Sequence, residues 1–327
     1  MTTTVTAADL YERVSHVIPA IEWATMVDDV EAIMRLKAER NAVILAHNYM
    51  TPEIFHAVAD ITGDSLALAR EAVDVDADVI VLAGVHFMAE TAKLLNPAKT
   101  VLIPDLRSGC SLAESITAED VRALRAKHPG VPVVTYVNTS AAVKAESDIC
   151  CTSGNAVEII ESLGAPKVIM IPDRFLAANI ARKTGVEVIT HPGACEVHER
   201  FTPLDIAEIR TSWPGVTVLA HPECPPEVVD VADYAGSTAQ MVNFVSTEHP
   251  AKVALITECS MSDNVAQQFP GTEFVRPCNL CPHMKRNTLA SIRHALETLT
   301  NEVTVPADVA DRARAAVERM LAVKVAK

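Results

Sequence analysis

At 327 residues, with 49 % hydrophobic residues and a net charge of −14, the chain has room for two or three layered units, each with its own core. The acidic balance argues against nucleic acid or an anionic membrane as partner, since either calls for a basic face. No apolar run approaches the roughly 18 residues that span a bilayer. Met1 to Thr6 lack a basic stretch leading into an apolar one, so no signal peptide is expected. Eight cysteines without such a signal point to thiols or metal ligands in a reducing cytoplasm rather than to a disulfide framework.

In chain order, residues 29–40 carry helical spacing, with Val30, Ile33, Met34 and Leu36 on one side. A buried strand over 42–46 runs into His47-Asn48-Tyr49. A helical stretch, the turn Thr62-Gly63-Asp64-Ser65 and a helix over 66–73 follow. Strand 79–83, a helix over 89–95 and strand 101–103 deliver Cys110. The programme then restarts. Thr117 caps a helix that ends at His128-Pro129-Gly130, and strand 131–135 runs into Tyr136-Val137-Asn138. Thr152-Ser153-Gly154-Asn155 opens a helix over 156–163; strand 168–171, helix 174–183 and strand 186–190 deliver Cys195. In the third pass a helix from Thr202 ends at Trp213-Pro214-Gly215, and strand 216–220 runs into His221-Pro222-Glu223. Gly236-Ser237-Thr238 precedes a helix, and strands 253–256 and 274–275 deliver Cys281. An amphipathic helix from Pro306 closes the chain.

Cys110, Cys195 and Cys281 stand 85 and 86 positions apart, each after a short apolar strand and a proline. A period this long is no solenoid. Alternating strands and helices predict an α/β fold of three related units with short parallel sheets around one central site. The units are expected at 1–113, 114–199 and 200–284, with the C-terminal helices of 285–327 packing back on the first. Ligands of such sheets sit beyond the carboxyl ends of the strands, where His47, Tyr136, His221 and the three cysteines fall.

Three cysteines around a pseudo-threefold axis can ligate an iron cluster and leave one iron open for Lewis-acid chemistry. Read singly, each is also a small core hydrophobe. Cys150, Cys151, Cys224 and Cys259 have no counterpart in all three passes and read as core or site-wall thiols; Cys278 reads as a packing residue or a redox partner of Cys281. His198, three residues after Cys195, joins the strand-end triplets or supports the cluster from behind. Ser65, Ser153 and Ser237-Thr238 head apolar helices, where capping and the binding of carboxylate or phosphate are compatible readings.

Together, from His47-Asn48-Tyr49 to Cys281-Pro282-His283-Met284, these motifs resemble the quinolinate synthase family, the iron–sulfur enzymes of de novo NAD biosynthesis. The resemblance implies three pseudo-threefold-related three-layer α/β/α domains. It implies one [4Fe–4S] cluster on Cys110, Cys195 and Cys281, with one open iron. The implied reaction condenses iminosuccinate (iminoaspartate) with dihydroxyacetone phosphate to quinolinate, releasing phosphate and water. Substrate positions carried over are His47, Ser65, Tyr136, Asn138, Ser153, His221, Glu223 and Thr238; Glu223, Tyr49 and His198 are the catalytic candidates. The pathway implies a functional link to an L-aspartate oxidase, and a cytoplasmic location. An aconitase-like hydro-lyase acting on another polyanion, an electron carrier and a zinc or iron–sulfur scaffold are the alternatives.

Overall fold

The structure, a computed structural model, describes residues 6–323; the first five residues, part of the stretch read against a signal peptide, and the last four lie outside the described residues. Three four-stranded sheets organise it. The first holds β1 (Ala42–His47), β2 (Ile61–Gly63), β3 (Val79–Ala83) and β4 (Thr100–Leu102). The second holds β5 (Val133–Tyr136), β6 (Ile149–Cys151), β7 (Lys167–Ile171) and β8 (Glu187–Thr190). The third holds β9 (Thr217–Ala220), β10 (Tyr234–Ala235), β11 (Lys252–Ile256) and β12 (Glu273–Val275). In each, the strand order is second, first, third, fourth, and every pairing is parallel. The α/β reading of three repeated parallel units therefore stands.

The central strands are runs of Val, Ile and Leu because helices cover both faces of a parallel sheet; β3 is buried at every position. Helices end where the punctuation lies. Gly130 and Gly215 follow the helices Ala118–Lys127 and Pro203–Ser212 at φ +79° and +80°, a left-handed region that costs glycine least. The second strand of each sheet went unread: β2, β6 and β10 are only two or three residues long, too short for any periodicity. Thr62-Gly63, expected as a turn, lies in β2.

One device recurs in all three sheets. Asp60, Asp148 and Asp233 each donate a backbone N–H to the carbonyl of Ile44, Val133 and Val218, at 2.9 Å. Their carboxylates accept the N–H of those same residues at 2.8, 2.7 and 2.7 Å, pinning the second strand to the first. Lys37, Arg125 and Arg210, from the helix before each sheet, hold these carboxylates at 2.7, 2.8 and 3.0 Å.

By its contacts the chain divides into two compact units. One comprises the chain up to Ser108, Ser260–Pro270 and Leu280–Thr304; the other comprises Gly109–Cys259, Gly271–Asn279 and the chain from Val305. The helix Leu289–Thr298 packs on Val27–Arg40 in the former. The last helix, Ala307–Ala322, was expected on the first unit; instead it lies against Ala141–Ala145 and β6 in the latter. Its apolar stripe of Ala313, Ala316, Val317 and Met320 did not specify a surface. Polar contacts do: Arg312 pairs with Glu146 at 3.1 Å, and Arg319 donates to the Asp148 carbonyl. No described helix is long and apolar enough to cross a membrane.

Candidate active site

The three repeat cysteines share one backbone setting. Each carbonyl accepts the N–H four residues on, from Glu114 (2.9 Å), Glu199 (2.9 Å) and Lys285 (3.2 Å), so each thiol stands at the head of a helical turn. Seven residues further along, Thr117, Thr202 and Thr288 cap the next helix through capping boxes. Cys110, Cys195 and Cys281 stand outside any disulfide and are half-buried. The other five cysteines are not. Cys150, Cys151 and Cys224 are fully enclosed, and burial pushes their thiols up, that of Cys150 to about 12.

Cys259 and Cys278 form a disulfide, which replaces both the free thiol expected at Cys259 and the pairing of Cys278 with Cys281. Its cause is local: Glu258 and Asn279 pair as a parallel bridge and set their neighbours 4.7 Å apart at Cα.

Ser111 ties two cysteine loops together. Its hydroxyl donates to the Ala194 carbonyl at 3.4 Å and accepts the Glu196 N–H at 3.1 Å, bracketing Cys195. Desolvation, Glu223 and Cys110 together push the Cys195 thiol up. A bound metal relieves such crowding, because it takes thiolates and neutralises their charge. Half-buried soft donors, paired by a brace and free of disulfides, fit an iron–sulfur cluster. Cys195, His198 and Glu223 also bring their donor atoms within 4.8 Å of one another, a group able to hold a metal ion.

Glu223 gathers the strand-end side chains of this unit. His198 Nδ1 lies 2.7 Å from its Oε2 and 3.1 Å from Cys195 Sγ; Nε2 lies 2.9 Å from Thr257 Oγ1. Asn138 Nδ2 donates to Oε1 at 3.4 Å, and Tyr136 donates to the same carboxylate. The His198 and His221 rings stack at 4.5 Å. Burial alone would push the Glu223 carboxyl up. The opposing pull of His198, His221 and the Tyr136 hydroxyl wins and holds it at about 2. The N–H of Glu223 donates to His221 Nδ1 at 3.3 Å, which leaves the proton of a neutral His221 on Nε2, 3.3 Å from Ser153 Oγ.

The other unit repeats this geometry. The Tyr49 N–H donates to His47 Nδ1 at 3.2 Å, and the two rings meet edge-on at 4.6 Å. Lys285, in the turn headed by Cys281, donates to the Tyr49 carbonyl at 2.8 Å and to Ser260 Oγ at 2.6 Å. Ser111, Thr257 and Lys285 went unread, since a lone Ser, Thr or Lys in a loop carries no sequence signal.

At two of the three helix starts, neighbours do the capping. Asp64 caps Ser65–Asp74 by accepting the Ala67 N–H at 2.8 Å, and Ser237 caps Thr238–Glu248 in a capping box. Thr152 Oγ1 accepts the Gly154 N–H at 3.2 Å. Ser65 and Thr238, each one residue beyond its capping neighbour, are thus spared that task; Ser153 lies in the turn before the helix Ala156–Ser162, whose N-cap Asn155 makes no side-chain cap bond. Gly154 allows close packing there: a Cβ on it would meet Ser237 Oγ at 3.1 Å.

Fold and site together define an α/β enzyme of three repeated sheets with a buried carboxylate, Glu223, set among imidazoles and a thiol. The family profile described as "Quinolinate synthetase A protein" matches residues 31–322. "Quinolinate synthase 1" of Mesorhizobium japonicum is 70 % identical over 315 residues, 96 % of this chain and 97 % of that protein. "Quinolinate synthase" of Agrobacterium fabrum is 69 % identical over 317 residues, 97 % and 92 % of the two chains. "Quinolinate synthase" of Caulobacter vibrioides is 59 % identical over 318 residues, 96 % and 87 %. The chain belongs to the quinolinate synthase family.

Proposed function

We propose that the chain condenses iminosuccinate with dihydroxyacetone phosphate to quinolinate, releasing phosphate and water. The observation that carries this reading is the buried Glu223 carboxylate, joined to His198 beside Cys195. Cys110, Cys195 and Cys281 would hold one [4Fe–4S] cluster, which supplies Lewis-acid assistance to the loss of hydroxyl when bound. The rest falls to the chain's own side chains. Ser65 and Thr238 offer hydroxyls at helix starts, and Ser153 one from the turn ahead of a helix, where N–H groups and the dipole favour carboxylate and phosphate. His47, His221, Tyr136 and Asn138 orient the substrates. Glu223 is ionised at neutral pH and favours a proton on His198 Nδ1, so the pair stores and returns the proton moved during enolisation. Tyr49 offers a hydroxyl for proton transfer in addition to that pair. The chain works in the cytoplasm on substrate from an L-aspartate oxidase, and its three sheets correspond to domains at 1–113, 114–199 and 200–284.

The test is replacement of each cysteine by Ala, followed by anaerobic reconstitution with iron and sulfide. Cys110→Ala, Cys195→Ala and Cys281→Ala should each lose the cluster's visible absorption, and Cys151→Ala should keep it. A full cluster in Cys195→Ala would sink the ligand assignment.

A further inference from the structure

The triplets that end β1, β5 and β9 are each followed by a tight turn whose outward carbonyls need partners in a buried place. In all three, one buried donor takes two of those carbonyls. Asn179, on the helix Arg174–Thr184, donates through Nδ2 to the carbonyls of Pro222 (2.9 Å) and Cys224 (3.0 Å). Asn264, on the helix Ser260–Ala266, donates to those of Asn48 (2.9 Å) and Met50 (2.8 Å). Lys144, on Ala141–Ala145, donates through Nζ to those of Val137 (2.8 Å) and Thr139. The carbonyls are equivalent: one and three residues beyond His221, His47 and Tyr136. Asn179 and Asn264 are themselves 85 positions apart, a spacing visible in the sequence once the loops they serve are known. All three donors are buried, at 3, 0 and 0 % exposure.

We infer that Asn179, Asn264 and Lys144 are positioning residues, each clamping one strand-end loop so that its functional side chains hold a fixed aim. The inference deepens the catalytic reading above and rests on it. One nitrogen on two carbonyls separated by one residue fixes the peptide plane just before the residue between them and the plane that follows its next neighbour, so the residue between is bracketed. That residue is Glu223 in one loop, Tyr49 in another and Asn138 in the third. The two asparagines can face their carbonyls only with the amide nitrogen, since the opposite flip would set oxygen against oxygen. Among the described residues no group donates to their buried Oδ1 atoms. The ammonium of Lys144 does the same work from a local helix, which shows that the donor geometry, not the residue type, recurs.

The test uses Asn179→Ala in the anaerobically reconstituted, full-length protein, with kcat, KM, iron content and hydrogen–deuterium exchange measured together. The clamp predicts unchanged iron, a kcat lowered about a hundredfold by the misplaced carboxylate with KM little altered, and faster exchange confined to residues 221–224. Normal kcat, or a loss that only follows the folded fraction with 221–224 still protected, would overturn it. If Asn179→Ala does not accumulate folded, Asn264→Ala carries the same test, read at 47–50. Should the wild-type chain make no product, the catalytic reading fails. The exchange arm then decides the clamp alone: faster local exchange supports it and unchanged exchange overturns it.

Discussion

A carboxylate buried without compensation keeps its proton; Glu223 is held ionised because two imidazoles and a phenol face it. It is therefore a poor free base and a good hydrogen-bond acceptor for His198 Nδ1. Glu223→Gln preserves shape and hydrogen bonding but carries no charge. Its kcat should fall by about 10²–10⁴-fold, with the cluster absorption intact. Full turnover in that variant would remove the pair from the chemistry. His56 shows the opposite balance. Desolvation, then the nearby His16, depress its imidazole to about 4, and its Nε2 is buried without a partner. A histidine lowered in the folded state takes its proton more readily when unfolded, so stability should fall as pH drops from about 6.5 to 4. In apo-protein, urea midpoints across that window should flatten in His56→Gln. An unchanged slope would assign the acid sensitivity elsewhere. Neither environment is legible in sequence, because each is made by residues remote along the chain.

At the scale of elements, the long strands and helices were legible because apolar runs bounded by Pro, Gly and capping residues have one economical fold. The short strands β2, β6 and β10 were not, since what makes them strands is a single aspartate reaching across to the first strand. The ion pairs behind those aspartates are partly exposed and contribute little themselves. The buried N–H they satisfy matters more. Asp148→Ala should cost about 1–3 kcal/mol by leaving the Val133 N–H without an acceptor, and Asp148→Asn, which keeps an oxygen, should cost less. Chemical denaturation measures both. Equal losses would mean that the charge, not the acceptor, carries the effect. The last helix teaches a related lesson, since an apolar stripe says that a helix packs and not where.

Across the whole molecule, the repeat was the most legible feature, because cysteines recur at spacings of 85 and 86 and a strand-end triplet precedes each of them, at spacings of 89 and 85. That the repeat cysteines alone are both half-buried and outside a disulfide was not legible; composition cannot tell Cys281 from Cys278, and only the Glu258–Asn279 bridge explains why Cys278 turns to Cys259. The central claim is that these units serve one condensation. Anaerobically reconstituted protein should be given iminosuccinate and dihydroxyacetone phosphate, together and separately, and quinolinate quantified by mass spectrometry. The account predicts quinolinate and a matching yield of inorganic phosphate only when both substrates and an intact cluster are present. A folded, cluster-loaded chain that forms no quinolinate from the pair would contradict it.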